Sequence, residues 1–359
     1  MTYVESFERA IHQRLRGAHV TDTLLKTHDD PPPLRGCKGR IGVFRALNLG
    51  DMLCAIPALR ALRAASPEAH ITVIGLPWAY ELIARYRHYV DDFLPFPGHP
   101  QLPETHVGRA DYESFRNSLP DDFDWLIQLH GDGRLTNGIL SEWPTRHLAG
   151  FVRAGIRNDG YFLPYPSGHE IDRLLGLIRW LGGDGSSDLE FPLHPEDFAQ
   201  LKAVPEFEHL LDAPYVVVHP GSRDAQRRLA PALFEEAVDV LSERTRVVLT
   251  GSAQEWDLNA RIAESCAGVV NAAGATSLGA LGALIAGARC LVTNDTGPSH
   301  LGAALHTPSL VVVTGSDPTR WAPKEQRRHR VLDARSGLSR ERFLAAVLDL
   351  WEHAGRTIC

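Results

Sequence analysis

An aspartate stands where the first buried strand of the chain gives way to a helix. The segment ALNLGDMLCAIPALRAL (46–62) places Asp51 at the N-terminal end of that helix, which is predicted over 51–65, and Gly50 permits a tight turn before it. A helix N-terminus favours a negatively charged side chain, so Asp51 could accept a proton from a reacting hydroxyl group. An aspartate that only caps its helix would stand at the same position, and both interpretations stay open.

Residues suited to an anion follow two strands in the second half of the chain. After YVVVHPG (215–221), Gly221 and Ser222 offer backbone N–H groups and a hydroxyl, and Arg227 belongs to the basic run that comes next. The turn after a later strand opens a helix whose free N–H groups would suit a diphosphate. The residues at that turn and in the first helical turn are Asp295, Thr296, Gly297 and His300. A solvated basic loop and a structural histidine would explain the same residues.

Polar residues follow other strands in both halves. Glu255 could accept hydrogen bonds from ribose hydroxyls, or it could simply stand in the first turn of a helix. Thr276 lies in another short segment of small residues between a strand and a helix. In the first half, His130 and Arg134 follow the strand FDWLIQL (123–129) and could hold an anionic or hydroxyl-rich acceptor, although surface roles explain either residue as well.

The elements that must position these residues are strands alternating with helices. One series of short apolar runs and helical segments begins at Arg40, and a second begins at Tyr215, after a polar, proline-containing stretch. Such alternation indicates parallel strands. We therefore predict an α/β protein with two facing, doubly wound, Rossmann-like domains, whose ligands bind outside the carboxyl ends of the strands.

The domain boundaries follow from these series. Val4, Phe7, Ile11 and Leu15 recur at helical spacing ahead of a proline-rich linker, which predicts a helical N-terminal appendage. The predicted units are an appendage (1–38), a first Rossmann-like domain (39–195), a second Rossmann-like domain (212–335) and a final helix (336–359).

Composition narrows the class of protein. The 359 residues are 44% apolar and 23% charged, as in globular proteins, and the formal charge of −7 argues against non-specific nucleic-acid binding. Five cysteines without a CxxC pair argue against a disulfide scaffold or a zinc site and favour a reducing compartment. The N-terminus lacks the apolar core of a secretion signal, and the uncharged stretch 269–288 fits a buried strand, turn and helix better than a membrane span. We expect a soluble, cytoplasmic protein.

Several other chemistries lack their motifs. Asp122-Phe123-Asp124 has the form of a metal-binding DxD, but it precedes a strand in a charged turn. HExxH and GxSxG are absent, and no GxGxxG follows the first strand. We therefore expect no metal site and no nicotinamide cofactor.

Taken together, the segments resemble glycosyltransferase family 9, the ADP-heptose:lipopolysaccharide heptosyltransferases and their relatives. The matching segments are LGDMLCAIPALRALRAASPEAHITVIG, LEFPL, VVVHPGS, VVLTGSAQE, NAAGATSLGALGALIAGA, NDTGPSHLGAALHTP and SDPTRWAP. The resemblance implies the GT-B architecture, with 39–195 as the acceptor domain, 212–335 as the nucleotide-sugar donor domain and the final helix packed back on the first domain. It also implies an inverting, metal-independent transfer from a nucleotide sugar. It also implies that Asp51 is the general base. The positions implied to bind the donor are Gly221, Ser222, Asp295, Thr296, Gly297 and His300 for the diphosphate and sugar, Glu255 for the ribose and Thr276 for the base.

One segment departs from the family pattern. Where the family usually has Lys-Arg/His-Trp-Pro, this chain has Arg227-Arg228-Leu229-Ala230. Arg227 keeps a positive charge for the phosphate, although arginine and lysine are not interchangeable. The His130-Gly131 pair resembles a branch of the family whose acceptor need not be lipopolysaccharide.

These observations lead to one functional hypothesis. The chain is expected to transfer a sugar from an ADP-sugar to a hydroxyl acceptor, with Asp51 as base and His130 and Arg134 at the acceptor. The resemblance implies that this sugar is heptose. No cofactor besides the nucleotide sugar is expected. The acceptor, whether glycan, lipid-linked, protein or small molecule, stays open, as does peripheral association with the inner face of the plasma membrane. The alternatives are a nucleotide-sugar epimerase and a non-catalytic nucleotide-sugar-binding protein of the same fold.

Overall fold

The computed structural model describes residues 34–156, 159–207, 212–264, 266 and 268–354. The predicted N-terminal helix and most of its linker lie outside the described residues. Within them, twelve strands form two sheets, and every strand pair is parallel.

The first sheet has the strand order β3-β2-β1-β4-β5-β6. Its strands are β1 (Arg40–Phe44), β2 (His70–Gly75), β3 (Asp92–Pro95), β4 (Phe123–Gln128), β5 (His147–Val152) and β6 (Tyr161–Pro164). The helices that accompany it are α1 (Leu49–Leu53), α2 (Ile56–Ala65), α3 (Ala79–Ile83), α4 (Arg109–Asn117), α5 (Thr136–Leu140) and α6 (Glu170–Trp180). The order reverses between β1 and β4, and doubly wound sheets bind ligands at such a switch point.

The second sheet repeats this topology, with the order β12-β11-β10-β7-β8-β9. Its strands are β7 (Tyr215–His219), β8 (Arg246–Leu249), β9 (Val269–Asn271), β10 (Cys290–Asn294), β11 (Ser309–Val313) and β12 (His329–Asp333). The remaining helices are α7 (Pro195–Lys202), α8 (Pro231–Ser242), α9 (Trp256–Ala263), α10 (Leu278–Gly287), α11 (Gly297–Ala304), α12 (Pro318–Trp321) and α13 (Arg340–Ala354). The predicted fold class is therefore confirmed.

Buried apolar side chains pack on both faces of each sheet. The largest buried cluster runs without interruption from the first sheet into the second, and it includes Ile71 and Leu291. The other face of the second sheet has its own core around Phe234, and the other face of the first sheet has one around Phe44. The continuous cluster joins the two sheets through apolar contacts, which stabilise their relative position.

Two sequence expectations need correction. The helix predicted over 51–65 is two helices, because Ala55 donates to Met52 O and Pro57 cannot supply the N–H that would continue α1 into α2. The final helix packs on the second domain and not on the first. The apolar face of α13 meets the core of the second sheet, where the Phe343 ring lies 5.9 Å from that of Phe234.

The uncharged stretch 269–288 forms β9 and α10, as the sequence predicts. Among the described residues, no helix combines the length and the apolar character needed to cross a membrane.

Candidate active site between the two sheets

The carboxyl ends of the two sheets face each other, and α1 lies against α11. A Cβ atom on Gly50 would come within 2.5 Å of Cδ2 of His300, and one on Gly297 within 3.0 Å of Cδ2 of Leu49. Gly50 is helical, so a tight turn is not what requires a glycine there. Its role is to let a histidine of the second domain approach the first turn of α1.

Asp51 lies at this contact, in the first turn of α1, with 23% of its side chain exposed. The side chain of Arg45, only 1% exposed, lies behind it. Arg45 Nε donates to the backbone oxygen of Asp51 over 2.8 Å, and Arg45 Nη2 lies 3.8 Å from Asp51 Oδ1. The carboxylate of Asp51 is thus partly exposed to the cleft, and the buried guanidinium of Arg45 lies on its other side.

Arg45 is itself held by a buried carboxylate from α6. Its Nη2 donates to Glu170 Oε1 over 3.1 Å, and its Nη1 donates to the backbone oxygen of Leu129. Burial alone would raise the pKa of Glu170, but the guanidinium groups of Arg45, Arg320 and Arg173 outweigh it and lower that pKa. Glu170 therefore stays ionised at neutral pH.

The second sheet presents the opposite arrangement at the start of α11. Asp295 is buried, and its carboxylate accepts hydrogen bonds from Arg227 Nη2 over 3.1 Å and from the Ser316 hydroxyl. Arg227 Nη2 also donates to the backbone oxygen of Asp295 over 2.5 Å, while 38% of the Arg227 side chain is exposed. The carboxylate is the buried partner here, and the guanidinium reaches the cleft.

The loop after β7 lies beside a second carboxylate. A Cβ atom on Gly221 would come within 2.1 Å of Oε1 of Glu255, so only glycine leaves room for that side chain. Glu255 Oε2 accepts hydrogen bonds from both the backbone N–H and the hydroxyl of Ser252, which caps the helical turn. Arg228 donates to the backbone oxygen of Ser222 over 2.7 Å, so the basic run is tied to the same loop.

His300 occupies the centre of the interface between α1 and α11. It is buried, and its Nδ1 lies 3.6 Å from Cys54 Sγ. Burial lowers the pKa of His300, and the carboxylates of Asp295 and Asp51 oppose that shift without reversing it. The imidazole is therefore neutral at neutral pH and serves as a hydrogen-bonding group rather than as a charge.

Thr276 and Thr296 are half-buried residues that each precede a helix of the second domain. The Thr296 hydroxyl donates to the backbone oxygen of Asn294 over 3.4 Å. Near Thr276, Glu81 of the first domain accepts a hydrogen bond from the Leu278 N–H at the start of α10, over 3.1 Å. Glu81 of the first domain thus contacts the start of α10, next to Thr276, the residue that the resemblance implies to line the nucleobase.

His130 and Arg134 lie at the carboxyl end of β4 and differ in exposure. The His130 ring is buried, stacks on Phe44 at 5.3 Å, and accepts the Ala46 N–H at Nδ1 over 3.3 Å. Arg134 is 46% exposed and pairs with Asp132 over 3.4 Å. Of the two residues, only Arg134 has a side chain substantially open to a ligand.

Sequence reasoning missed three residues that organise this site. Arg45 and Glu170 lie behind Asp51, and Arg320 reaches Glu170 from the second domain, with its Nη2 2.9 Å from Oε2. Arg320 lies within SDPTRWAP, one of the matching segments, and Arg45 directly precedes the segment that contains Asp51. Glu170 had no such signal, because its position in the helical pattern is that of an ordinary first-turn glutamate.

Among the described residues, no group of three or more His, Cys, Asp or Glu side chains is arranged to hold a metal ion.

The fold, compared with solved structures, is that of two-domain GT-B glycosyltransferases. The glycosyl transferase family 9 protein of Veillonella parvula superposes with a TM-score of 0.73 at 21% identity, covering 88% of this chain and 97% of that one. The ADP-heptose lps heptosyltransferase II of Escherichia coli superposes with a TM-score of 0.67 at 23% identity, covering 88% and 99%.

Residues 183–342 match the sequence model of Glycosyltransferase family 9 (heptosyltransferase). Over 328 residues the chain is 26% identical to lipopolysaccharide heptosyltransferase 2 of Escherichia coli, which covers 82% of this chain and 88% of that protein. It is 27% identical to lipopolysaccharide heptosyltransferase 1 of Pseudomonas aeruginosa, with 78% and 79% covered. The chain is similar to glycosyltransferase family 9, as its sequence segments predict, and the relatives that it matches are named lipopolysaccharide heptosyltransferases.

Proposed function

We propose that the chain is an inverting, metal-independent glycosyltransferase that moves heptose from ADP-heptose to a hydroxyl group, with Asp51 as general base. The observation that carries the proposal is the pairing across the cleft. One face offers a part-exposed carboxylate backed by Arg45, and the other offers a part-exposed guanidinium backed by Asp295.

The chemistry of a single displacement needs those two groups. Asp51 takes the proton of the acceptor hydroxyl while its oxygen bonds to the anomeric carbon. The bond between that carbon and the diphosphate oxygen breaks, and the electron pair leaves with ADP. Arg227 and the free N–H groups at the start of α11 stabilise the charge that develops on the diphosphate, which a metal ion would otherwise do. Attack opposite the leaving group inverts the anomeric centre.

The remaining donor contacts are part of the same proposal. Ser222 and Gly221 line the phosphate side, Thr296, Gly297 and His300 line the sugar side, Glu255 meets the ribose, and Thr276 meets the base. The buried Glu255 supports such a role, since Oε1 lies against the Gly221 loop while Oε2 is taken by Ser252.

The identity of the sugar rests on the curated relatives, which are named lipopolysaccharide heptosyltransferases. We propose an acceptor of the same broad kind, a hydroxyl-rich glycan, reached at the membrane surface from the cytoplasm. Arg134 is the proposed acceptor contact, and the buried His130 would act beneath it through its ring contacts.

A donor screen tests the proposal. Thermal shifts and product release are measured with ADP-, GDP-, UDP- and dTDP-sugars, each with and without EDTA, and with heptose-free lipopolysaccharide or water as acceptor. We expect stabilisation and nucleotide release with ADP-heptose, unchanged by EDTA, and the opposite anomer in the product. A preference for a UDP-sugar, loss of activity in EDTA or retention of the anomer would contradict the proposal. Free nucleotide together with an epimerised sugar would favour an epimerase, and binding without turnover would favour a binding protein.

A further inference from the structure

The backbone oxygen of Asp51 is held in an unusual way. In a continuing helix the N–H of Ala55 would donate to it, but α1 ends at Leu53 and that N–H donates to Met52 O instead, over 3.0 Å. Arg45 Nε takes its place at 2.8 Å. The first turn of α1, which carries the proposed base, is thus stabilised by a side chain where a longer helix would use its own backbone.

Arg45 is in turn fixed on every side. Its Nη1 donates to Leu129 O at the end of β4, and its Nη2 donates to Glu170 Oε1 over 3.1 Å. The side chains of Arg45 and Glu170 are each 1% exposed. A buried ion pair is stable only when its geometry and its further hydrogen bonds are good, so the position of Arg45 depends on Glu170.

The other oxygen of Glu170 belongs to the contact between the domains. Arg320 of the second domain donates to Glu170 Oε2 through Nε over 3.0 Å, and its Nη2 donates to the Tyr165 hydroxyl over 2.8 Å. Arg173 lies 3.4 Å from the same oxygen. One carboxylate therefore connects a guanidinium of each domain.

We propose that Glu170 is a positioning residue for the transfer reaction, which couples closure of the cleft to the placement of Asp51. When the domains close, Arg320 reaches Oε2 and immobilises the Glu170 carboxylate. The immobilised carboxylate then holds Arg45 against the backbone and the carboxylate of Asp51. This inference rests on the proposed function, because it takes Asp51 to be the base.

A neighbouring ion pair supplies a matched control. Lys324 of the second domain donates to Asp172 over 2.7 Å and to the Ser187 hydroxyl over 2.9 Å, at the same contact between the domains. Its partners are Asp172 and Ser187 rather than Glu170 or Arg45, and 40% of its side chain is exposed. If the ion pairs only hold the domains together, Lys324→Ala should act like Arg320→Ala.

The experiment compares Glu170→Gln, Arg320→Ala, their double variant and Lys324→Ala. ADP release from ADP-heptose is measured with heptose-free lipopolysaccharide, and with water where lipopolysaccharide does not serve, while ADP affinity is measured by calorimetry. We expect kcat to fall on the order of 10²-fold in Glu170→Gln, with ADP affinity and the donor KM within about twofold of the wild type. Arg320→Ala should lower kcat less and add no further loss in the Glu170→Gln background. Lys324→Ala should match the wild type.

Three results would overturn the inference: an unchanged kcat in Glu170→Gln, a loss confined to KM or ADP affinity, or equal losses in Arg320→Ala and Lys324→Ala. If circular dichroism shows that Glu170→Gln does not fold, Arg320→Ala and Arg320→Lys test the inference instead, because Arg320 is 30% exposed. Arg320→Lys should then keep part of the kcat that Arg320→Ala loses. Full activity of Asp51→Asn would contradict the proposed function itself. An inactive Asp51→Asn beside a fully active Glu170→Gln would contradict this inference alone.

Discussion

The two faces of the cleft are built from the same sheet topology but present opposite charges. On the first sheet the carboxylate of Asp51 is 23% exposed and its arginine, Arg45, is 1% exposed. On the second sheet the carboxylate of Asp295 is 2% exposed and its arginine, Arg227, is 38% exposed. In each pair the buried partner fixes the geometry, and the exposed partner is available to a ligand. One Rossmann-like frame can therefore serve either a proton acceptor or an anion.

The difference in exposure between the two arginines follows from where each one lies in the fold. Arg45 directly follows β1, beneath α1, so its long side chain runs under Asp51 and into the buried layer. Arg227 belongs to a loop outside the sheet and approaches Asp295 from the cleft side. Burying a charge is costly without hydrogen-bonding partners, and Arg45 meets that requirement with Asp51, Leu129 and Glu170.

The largest effect is expected from Asp51→Asn, which removes the proposed base from the first face and leaves the second face intact. Transfer should fall on the order of 10³-fold, while ADP affinity stays unchanged. Product release and calorimetry measure the two quantities. Asp92→Asn, an exposed aspartate at the start of β3, is the control and should transfer normally. Normal transfer by Asp51→Asn would remove the basis for the comparison.

Arg227→Gln tests the second face, and its effect should differ from that of Asp51→Asn. Loss of the guanidinium should lower the transfer rate on the order of 10²-fold and also weaken ADP binding, because the leaving diphosphate loses a charged donor. Arg244→Gln is the matched control, since its side chain is 39% exposed and pairs with Glu243 away from the cleft. Unaltered ADP affinity in Arg227→Gln would place the anion site elsewhere.

Acid should weaken the second sheet before it affects the buried Glu170 of the first domain. Burial lowers the pKa of His329 on β12 to about 4, so the unfolded chain binds a proton between pH ~6.5 and ~4 that the folded chain does not. Stability is therefore lost as pH falls through that window, by about 2 kcal/mol for this residue at pH ~4.5. Glu170, whose pKa is lowered, loses its contribution only below the usual pKa of a glutamate, ~4.3.

Denaturant unfolding of the wild type and of His329→Gln at pH 7.5 and 4.5 measures this effect, with hydrogen exchange locating it in the sheet. The free-energy loss on acidification should be about 2 kcal/mol smaller in the variant. Parallel losses in the two proteins would show that His329 does not carry the effect.

The smallest effect concerns the approach of the two faces. In Gly50→Ala the new Cβ would lie 2.5 Å from Cδ2 of His300, so α1 and α11 must separate by a fraction of an ångström. We expect kcat to fall on the order of tenfold, because Asp51 is displaced from the donor face. Gly138→Ala serves as the control, since no atom beyond its own helix backbone and chain neighbours lies within 4 Å of its Cβ position. Equal activity of the two variants would mean that the contact tolerates the extra methyl group.

Local sequence patterns predict most of the fold. The apolar runs predict strands such as β1, β7 and β10 to within a few residues, because a strand buried on both faces must be continuously apolar. Strands β5, β6 and β12 and the split between α1 and α2 escaped prediction. β6 and β12 lie at the edges of their sheets and need no such run, and the break between the helices depends on Pro57. The direction taken by α13 was also missed, because its apolar face could have packed on either domain.

For the site, the sequence by itself determined which residue types stand near the strand ends: Asp51 in the first turn of one helix, Asp295 before another helix and His300 within it. The tertiary structure alone decided which of them are buried. Asp295 became the support of Arg227, Gly50 became the space for His300, and Glu170 became the link between Arg45 and Arg320. These contacts join residues that are far apart in the sequence; Gly50 and His300 are separated by 250 positions. Burial, and with it the strength of an ion pair, arises only when distant segments pack together.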